Sequence, residues 1–332
     1  MVNDVIYLAE LDKASRVPGL ADQLNAALAD ARGPFDRAEW WRLLCAHGGV
    51  APFYALARSD GHSALMALTE RGGVIRPLAN WYTFRWRPLV SRDAASLPLF
   101  EALGRDLPRR GWRLVLEQVP DEDGSATALT EALRRAGWAV RMAVHDSNHV
   151  LALDGRDYAA FLAGRPGALR TMLKRRSGRV ATELFGTFRP EVWQAYEEIY
   201  AASWKPEEGN PALLRAFAEA EGAAGRLRMG LAHVEGRAVA AQFWTVEDGT
   251  AYIHKLAHRE DGKAQSPGTV LSAALFEQVI DRDRVKLVDF GTGDNAYKRD
   301  WMDDIRLRYQ IDALWPKAPR AWPRLARRLL RR

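Results

Sequence analysis

Hydrophobic and polar positions alternate along this chain in short runs that predict one plan of strands and helices, written twice. In the second half, Arg226 to Glu235, Arg237 to Glu247 and Thr250 to His258 read as three strands joined at turns containing Glu235-Gly236 and Asp248-Gly249. Helix 268–282, strand 285–290, helix 295–301 and strand 304–314 complete that half. The first half gives Val50 to Arg58, a turn at Asp60-Gly61, then Ser63 to Glu70 and Val74 to Val90 as extended segments. Helix 93–109, strand 112–119, helix 125–136 and strand 138–146 follow in the same order. Helices precede each sheet: Leu20 to Leu28 and Arg37 to Ala46 before the first, and Ala168 to Ser177, Pro190 to Trp204 and Pro211 to Ala223 before the second. Asp157, Ser203 and Asn210 are the expected caps at these boundaries. The expected fold class is α/β (α+β), two tandem modules, each a mixed central sheet flanked by helices. The break falls near His145 to Val150, as a strand passing from one unit to the other. The division is therefore 1–147, 148–315 and a tail, 316–332.

Composition narrows the setting. A chain of 332 residues with 48% hydrophobic positions suits two domains with real cores. The single Cys45 excludes an internal disulfide, and there is no Cys/His spacing of zinc type. The start, MVNDVIYLAE, carries acids where a signal peptide needs a basic patch, and no apolar run is long enough to span a bilayer. A reducing, cytoplasmic location is expected. The net charge of +6 comes from the tail: residues 316–332 hold seven Lys or Arg and no acid, leaving 41 basic against 42 acidic residues elsewhere. Nucleic acid is not an expected partner of such a body. In the tail, a helix from Pro323 puts Trp322, Leu325, Ala326, Leu329 and Leu330 on one side and Arg324, Arg327, Arg328 and Arg331 on the other. That pattern suits an anionic membrane interface, or docking onto the protein itself.

The chemistry concentrates in residues 249–314. Ser266-Pro267-Gly268-Thr269 opens a helix directly after a strand and a polar loop. Small residues there would let a pyrophosphate approach the free backbone N–H groups at the positive end of the helix. The same four residues also make an ordinary helix start. Asp289-Phe290-Gly291 looks like a kinase magnesium motif, but no catalytic loop or Gly-rich lid accompanies it. Asp289 instead ends a strand whose turn is permitted by Gly291 and Gly293, and Asp294 fits a cap of the next helix. Arg165, Arg170, Lys174, Arg175, Arg176 and Arg179 form a basic run, with Leu169, Met172 and Leu173 to anchor it. It reads either as solvated helix surface or as a site for an anionic acceptor or an acidic carrier protein.

SPGTVL at 266–271, DFGTGD at 289–294, YKRDW at 297–301 and, more loosely, RPGALRTMLKRR at 165–176 resemble the CelD-like, FemAB-related branch of the GNAT acyltransferases, built as tandem GNAT modules. The resemblance covers most of the second half; the first half matches in element order alone. It implies transfer of an acyl group from a thioester to an amine, often in envelope or polysaccharide settings, with no tightly bound cofactor and no metal. The family's phosphate loop is kept only in part, as Gln265, Gly268 and Ala273, so acyl-CoA or an acyl carrier protein thioester are both candidate donors. Cofactor contacts are expected from Gln265, Ser266, Gly268 and Thr269. Amide formation needs a base for the acceptor's proton, and His254, His258, Asp289 and Asp294 are the candidates. Strand alternation would put His254 and Leu256 on one face and Lys255 on the other. Lys255 and Lys298 could stabilise an oxyanion or bind phosphates; Tyr297-Lys298 belongs to the resemblance. Tyr297, Trp301, Asp294, Arg170 and Lys174 are the expected acceptor contacts. The first module has Arg87-Pro88-Leu89-Val90-Ser91-Arg92 where the second has its Gly-bearing loop, and is expected to be degenerate, walling the acceptor site. The favoured acceptor is a long-chain (sphingoid) base, as in GNAT-type bacterial ceramide synthases. The rivals are an amino sugar of exopolysaccharide and a non-catalytic envelope assembly component.

Overall fold

The computed structural model describes residues 2–16 and 19–330. The chain folds as two units, one of residues 1–146 and 306–332, the other of residues 147–305. In the first, β1 (Val2–Leu8), β2 (Pro52–Ser59), β3 (His62–Arg71) and β4 (Val74–Pro77) run antiparallel in that order. A two-residue strand, β5 (Leu89–Val90), pairs with β3. After α3 (Ser96–Asp106), β6 (Arg113–Pro120) pairs parallel to β4. Helices α1 (Leu20–Leu28), α2 (Ala38–Gly48) and α4 (Ser125–Arg135) pack around this sheet. The core holds Met66, Trp86, Phe100, Leu103 and Leu133.

Strand β7 (Ala139–Ala152) carries the chain into the second unit. There α5 (Tyr158–Ala163), α6 (Gly167–Arg176), α7 (Pro190–Ala201) and α8 (Pro211–Ala223) surround the antiparallel strands β8 (Ala181–Phe185), β9 (Leu227–Val234), β10 (Arg237–Glu247) and β11 (Thr250–His258). Helix α9 (Pro267–Glu277) crosses to β12 (Leu287–Thr292), which is parallel to β11, and α10 (Ala296–Arg299) follows. The core is Leu151, Phe161, Trp244, Phe276, Val288 and Trp301, with Trp301 stacked on Phe276 at 4.8 Å. Gly230 of β9 lets α9 settle on the sheet: a Cβ there would lie 2.8 Å from Leu271 Cδ1.

The last strand of each repeat passes from one unit into the other. Residues 148–152 of β7 pair antiparallel with β12, in the second unit. Residues 308–314 of β13 (Asp304–Leu314) pair antiparallel with β6, in the first. Each repeat thus ends in a strand that completes the other unit's sheet. Ile311 and Ala313 lie fully buried in the first core, and Arg113 grips Asp312 through two hydrogen bonds of 2.9 and 3.1 Å. Pairing and burial, not sequence position, decide which unit owns the strand.

Other expectations are corrected in detail. The extended segment 74–90 is two short strands separated by a loop. Helix 268–282 becomes a wider π turn at 278–282. Strands β1 and β8 and helix α5 went unread. Asp157 and Asn210 cap α5 and α8 by accepting from Ala160 N and Leu213 N, whereas the Ser203 hydroxyl closes the end of α7, donating to Tyr200 O and accepting from Lys205 N.

The tail forms α11 (Trp322–Leu330) and packs on its own unit. Arg328, on the polar side of the predicted helix, pairs with Asp312 at 2.8 Å and donates to the carbonyls of Ala139 and Asp312. Arg324 lies over the Trp112 ring at 5.4 Å. Trp322 and Leu330 stay exposed; Arg331 and the Leu329 side chain lie outside the described residues. Among the described residues no helix is long and apolar enough to cross a membrane.

Candidate active site

Strand β11 and strand β12 pair over only three residues each, from Thr250 with Leu287 to Tyr252 with Asp289. Each then continues without the other. Past that point lies a cavity of about 260 Å³ in the second unit, walled by the end of β11, the first turn of α9, the segment after α7, and α10 with Trp301. Six predicted residues meet there: Ser266, Gly268, Thr269, Tyr297, Trp301 and the candidate base His258.

The first turn of α9 is built to face this cavity. Ser266 is left-handed, with φ 52° and ψ 45°, a conformation that costs a non-glycine residue about 1 kcal/mol or more. Its side chain makes no cap, so the Ser266 hydroxyl does not serve as the expected N-cap. Thr269 N and Val270 N both donate to Ser266 O, while Pro267 has no N–H to give. A Cβ on Gly268 would find only His258, at 3.6 Å, so this position opens on space. The buried Gln242 amide donates to Gly268 O and to Ser272 Oγ, each at 2.8 Å, and accepts from Trp244 Nε1 at 2.9 Å. Gln265 stands outside the cavity wall and accepts from Arg176 Nη1 at 2.8 Å.

The other predicted residues lie elsewhere. Asp289 is buried and accepts from Asn148 Nδ2 on both oxygens at 3.2 Å and from Gly291 N at 2.8 Å. It holds the turn in which Gly291 takes φ 69°. Lys298 is buried too, donating to Thr292 O at 2.6 Å and Gly291 O at 3.2 Å. Asp294 lies at the surface against His149 at 2.9 Å and Arg299 at 2.6 Å; the hydrogen bond from Arg299, then that from His149, holds its carboxyl below the usual range. Arg170 and Lys174 are exposed on α6, while Leu169 and Leu173 anchor it, as the basic run suggested. Arg165 of that run is instead buried against Asp303 and the Phe161 ring.

The predicted alternation on β11 fails, because the strand bulges. Phe243 opposes Lys255 and Trp244 opposes Ile253, leaving His254 as the extra residue. His254 stacks on Phe243 and meets Thr245 Oγ1 at 2.8 Å. Lys255 turns to the segment after α7 and to α7 itself, pairing with Glu208 at 2.9 Å and lying 5.6 Å from the Tyr200 ring centroid. Burial lowers the Lys255 pKa, against the opposing pull of Glu208.

Sequence reasoning missed Lys205. It follows the exposed Trp204 after α7, and both line the cavity. Its Nζ donates to Leu256 O at the end of β11. Burial, then the charges of Lys255 and Lys298, pushes it down to about 8, against the opposing pull of Glu208. Burial likewise pushes the Tyr297 hydroxyl up to about 12. Only the oddity of one lysine between Trp204 and the acidic stretch Pro206-Glu207-Glu208 signalled it in the sequence. Among the described residues no group of His, Cys, Asp and Glu is arranged to hold a metal ion.

Residues 187–299 match the family Acetyltransferase (GNAT) domain. No curated protein matches the chain. Among solved structures, FemX shares the fold with a TM-score of 0.62 at 9% identity, over 93% of this chain and 97% of that one. L-PGS from Bacillus licheniformis gives 0.59 at 15%, over 95% and 98%. A tandem GNAT protein from the clavulanic acid biosynthesis pathway gives 0.56 at 15%, over 95% and 100%. At these identities the likeness is one of fold.

Proposed function

With a GNAT acetyltransferase domain at residues 187–299, the protein is an acyltransferase, and we propose that its second unit binds an acyl thioester at the first turn of α9 and passes the acyl group to a lipid-like amine. The observation that carries the donor site is the cavity where β11 and β12 part, onto which Gly268 opens at a helix N-terminus. A pyrophosphate there would meet the Gly268 N–H at the positive end of α9, with Lys263 on the same wall. Backbone N–H groups of β11 beyond its ladder with β12 would face the thioester oxygen as charge develops on it. Arg176, tied to Gln265, brings the basic end of α6 close by, which suits a phosphorylated donor, either acyl-CoA or an acyl carrier protein. The first unit is proposed to hold no donor: in its own cavity Arg87 is buried and paired with Asp30 and Asp36.

The aromatic wall of Trp204, Tyr297 and Trp301 favours an acceptor with apolar bulk, and a long-chain sphingoid base is the proposed one. Exposed Trp322 beside the basic tail supports action at an anionic membrane surface. An amino sugar of exopolysaccharide is the second reading, favoured by the same aromatic wall, on which a sugar ring can stack. Intact-lipid mass spectrometry of a deletion strain tests the first directly. The expected result is loss of an N-acylated long-chain base; unchanged lipids with an altered polysaccharide would move the acceptor to the amino sugar.

A further inference from the structure

The cavity has a place for a donor, but of the four residues expected to take the acceptor's proton only His258 lines it, with its Nδ1 against Arg259 O at 3.3 Å, and the other three are set away. Asp289 holds Gly291 N and Asn148, His254 lies among aromatic rings against Thr245, and Asp294 sits with Arg299 and His149. We infer that Lys205 is the general base of acyl transfer, its Nζ taking a proton from the acceptor's ammonium group at the cavity wall. This rests on the acyl-transfer reading above.

Three features of position carry it. Lys205 lines the cavity together with the α9 turn, so donor and base share one space. Its Nζ is fixed by donating to Leu256 O, on the strand beside which the thioester would lie. The charges facing it disfavour a further cation. Lys255 comes from β11 and Lys298 from α10, against the single carboxylate of Glu208. Tyr200 of α7 offers its ring at 5.9 Å, and His258, Lys263 and Tyr297 lie across the cavity. Burial is the larger cause and the two lysines add to it, so that near pH 8 about half of the molecules carry the amine neutral. A neutral amine keeps two N–H groups and one lone pair. One N–H stays on Leu256 O, and the lone pair is left for the incoming proton. Lys255 is a poorer base, since Glu208 at 2.9 Å favours its ammonium form.

The proton count closes. The acceptor ammonium gives one proton to Lys205, and its freed lone pair attacks the thioester carbon. The C–N bond forms as the carbonyl pair moves to oxygen. Collapse breaks the C–S bond, and the sulfur leaves with a second proton from nitrogen. The amide keeps the third, and Lys205 releases its proton to water.

The test has two arms, both on the full chain. Trace acetic anhydride labelling across pH, read by peptide mass spectrometry, should half-label Lys205 near pH 8. Exposed Lys174 on α6 serves as the surface reference in the same digest. Lys255→Met should move the Lys205 midpoint upward, because Glu208 loses its partner and one repelling charge is gone. In the second arm, thiol release from hexadecanoyl-CoA with sphinganine should fall roughly 10²- to 10⁴-fold in Lys205→Arg, which keeps the cation but not the base. Thermal stabilisation by CoA should persist in that variant. Lys205 labelling like Lys174, or no labelling at all, overturns the inference, as does a Lys205→Arg rate equal to wild type. Failure of CoA to stabilise the wild type would instead sink the donor reading, and the labelling midpoint would still decide the state of Lys205.

Discussion

Gln242 reaches from β10 to the carbonyl of Gly268 at 2.8 Å, and this bond fixes where α9 begins. The same amide serves Ser272 Oγ and accepts from Trp244 Nε1, so a single buried side chain joins the sheet to the helix start. Gln242→Leu keeps much of the volume and strands those partners. Each buried polar group left unpaired costs about 1–3 kcal/mol. The melting temperature should fall clearly, and the stabilisation given by CoA should weaken with it. An unchanged response to CoA would mean that the α9 turn does not hold the donor.

Gly268 offers a graded probe of the same turn. Alanine fits, since its Cβ would sit 3.6 Å from His258, and its φ needs no left-handed backbone. Gly268→Ala should therefore fold normally and lose part of the CoA-induced shift. Gly268→Val should lose nearly all of it, because its branched carbons enter the space that phosphates would occupy. Equal shifts in wild type and the valine variant would place the donor elsewhere.

Asp289 and Lys298 should separate when each is mutated. Asp289→Ala leaves Gly291 N and the Asn148 amide without the carboxylate, so about 1–3 kcal/mol per stranded group should be lost. Chemical denaturation would read that loss. Lys298→Met removes an ammonium held on two backbone carbonyls of the turn after β12. A drop in turnover at unchanged CoA stabilisation would assign Lys298 to the reaction rather than to donor binding.

Asp312 links stability to pH. Burial alone would raise its carboxyl, but hydrogen bonds and charge from Arg113 and Arg328 outweigh that and hold it below the usual range. A depressed folded-state pKa contributes stability that is present above the ordinary carboxylate range and is lost as pH falls through the lowered value. Asp312→Asn should thus be less stable than wild type at neutral pH. The two should converge in acid, as urea midpoints at several pH values would show.

The tail has packing contacts and a proposed membrane role to separate. Removing residues 317–332 takes away seven positive charges, and near an anionic leaflet each contributes about 1 kcal/mol. Co-sedimentation with anionic vesicles should be lost, and in the intact chain it should weaken with salt. The truncation also removes Arg328 from Asp312 and Arg324 from Trp112, so a modest fall in melting temperature should accompany it. Undiminished vesicle binding would leave the tail as packing alone.

What the sequence revealed follows the range over which each signal acts. Strands Arg237–Glu247 and Thr250–His258 were readable end to end, because Glu-Gly and Asp-Gly turns punctuate them locally. Ser266, Gly268 and Thr269 line one cavity with Tyr297 and Trp301, since a strand, helix, strand order brings those ends together. The bulge at His254 was not, as it is set by the partner strand rather than by the residue itself. Lys205 gave only a faint signal for a related reason: its unusual ionisation comes from burial, Lys255 and Lys298, none of which is a neighbour in sequence. Strand β8 is mostly exposed, with no alternation to read.

The placement of residues 308–314 beside β6 sets an order of events during synthesis. Arg113 leaves the ribosome 199 residues before its partner Asp312. At roughly 5–20 residues per second, that is a wait of about 10–40 s with one edge of β6 bare. All of residues 147–305 emerge within that interval, so the later-made unit has its full sequence before the earlier one does. A bare strand edge in a nascent chain invites wrong pairing. Pulse-labelled ribosome-bound chains should therefore show protease resistance in residues 147–305 before residues 113–120, which should become resistant only once residues 308–314 have emerged.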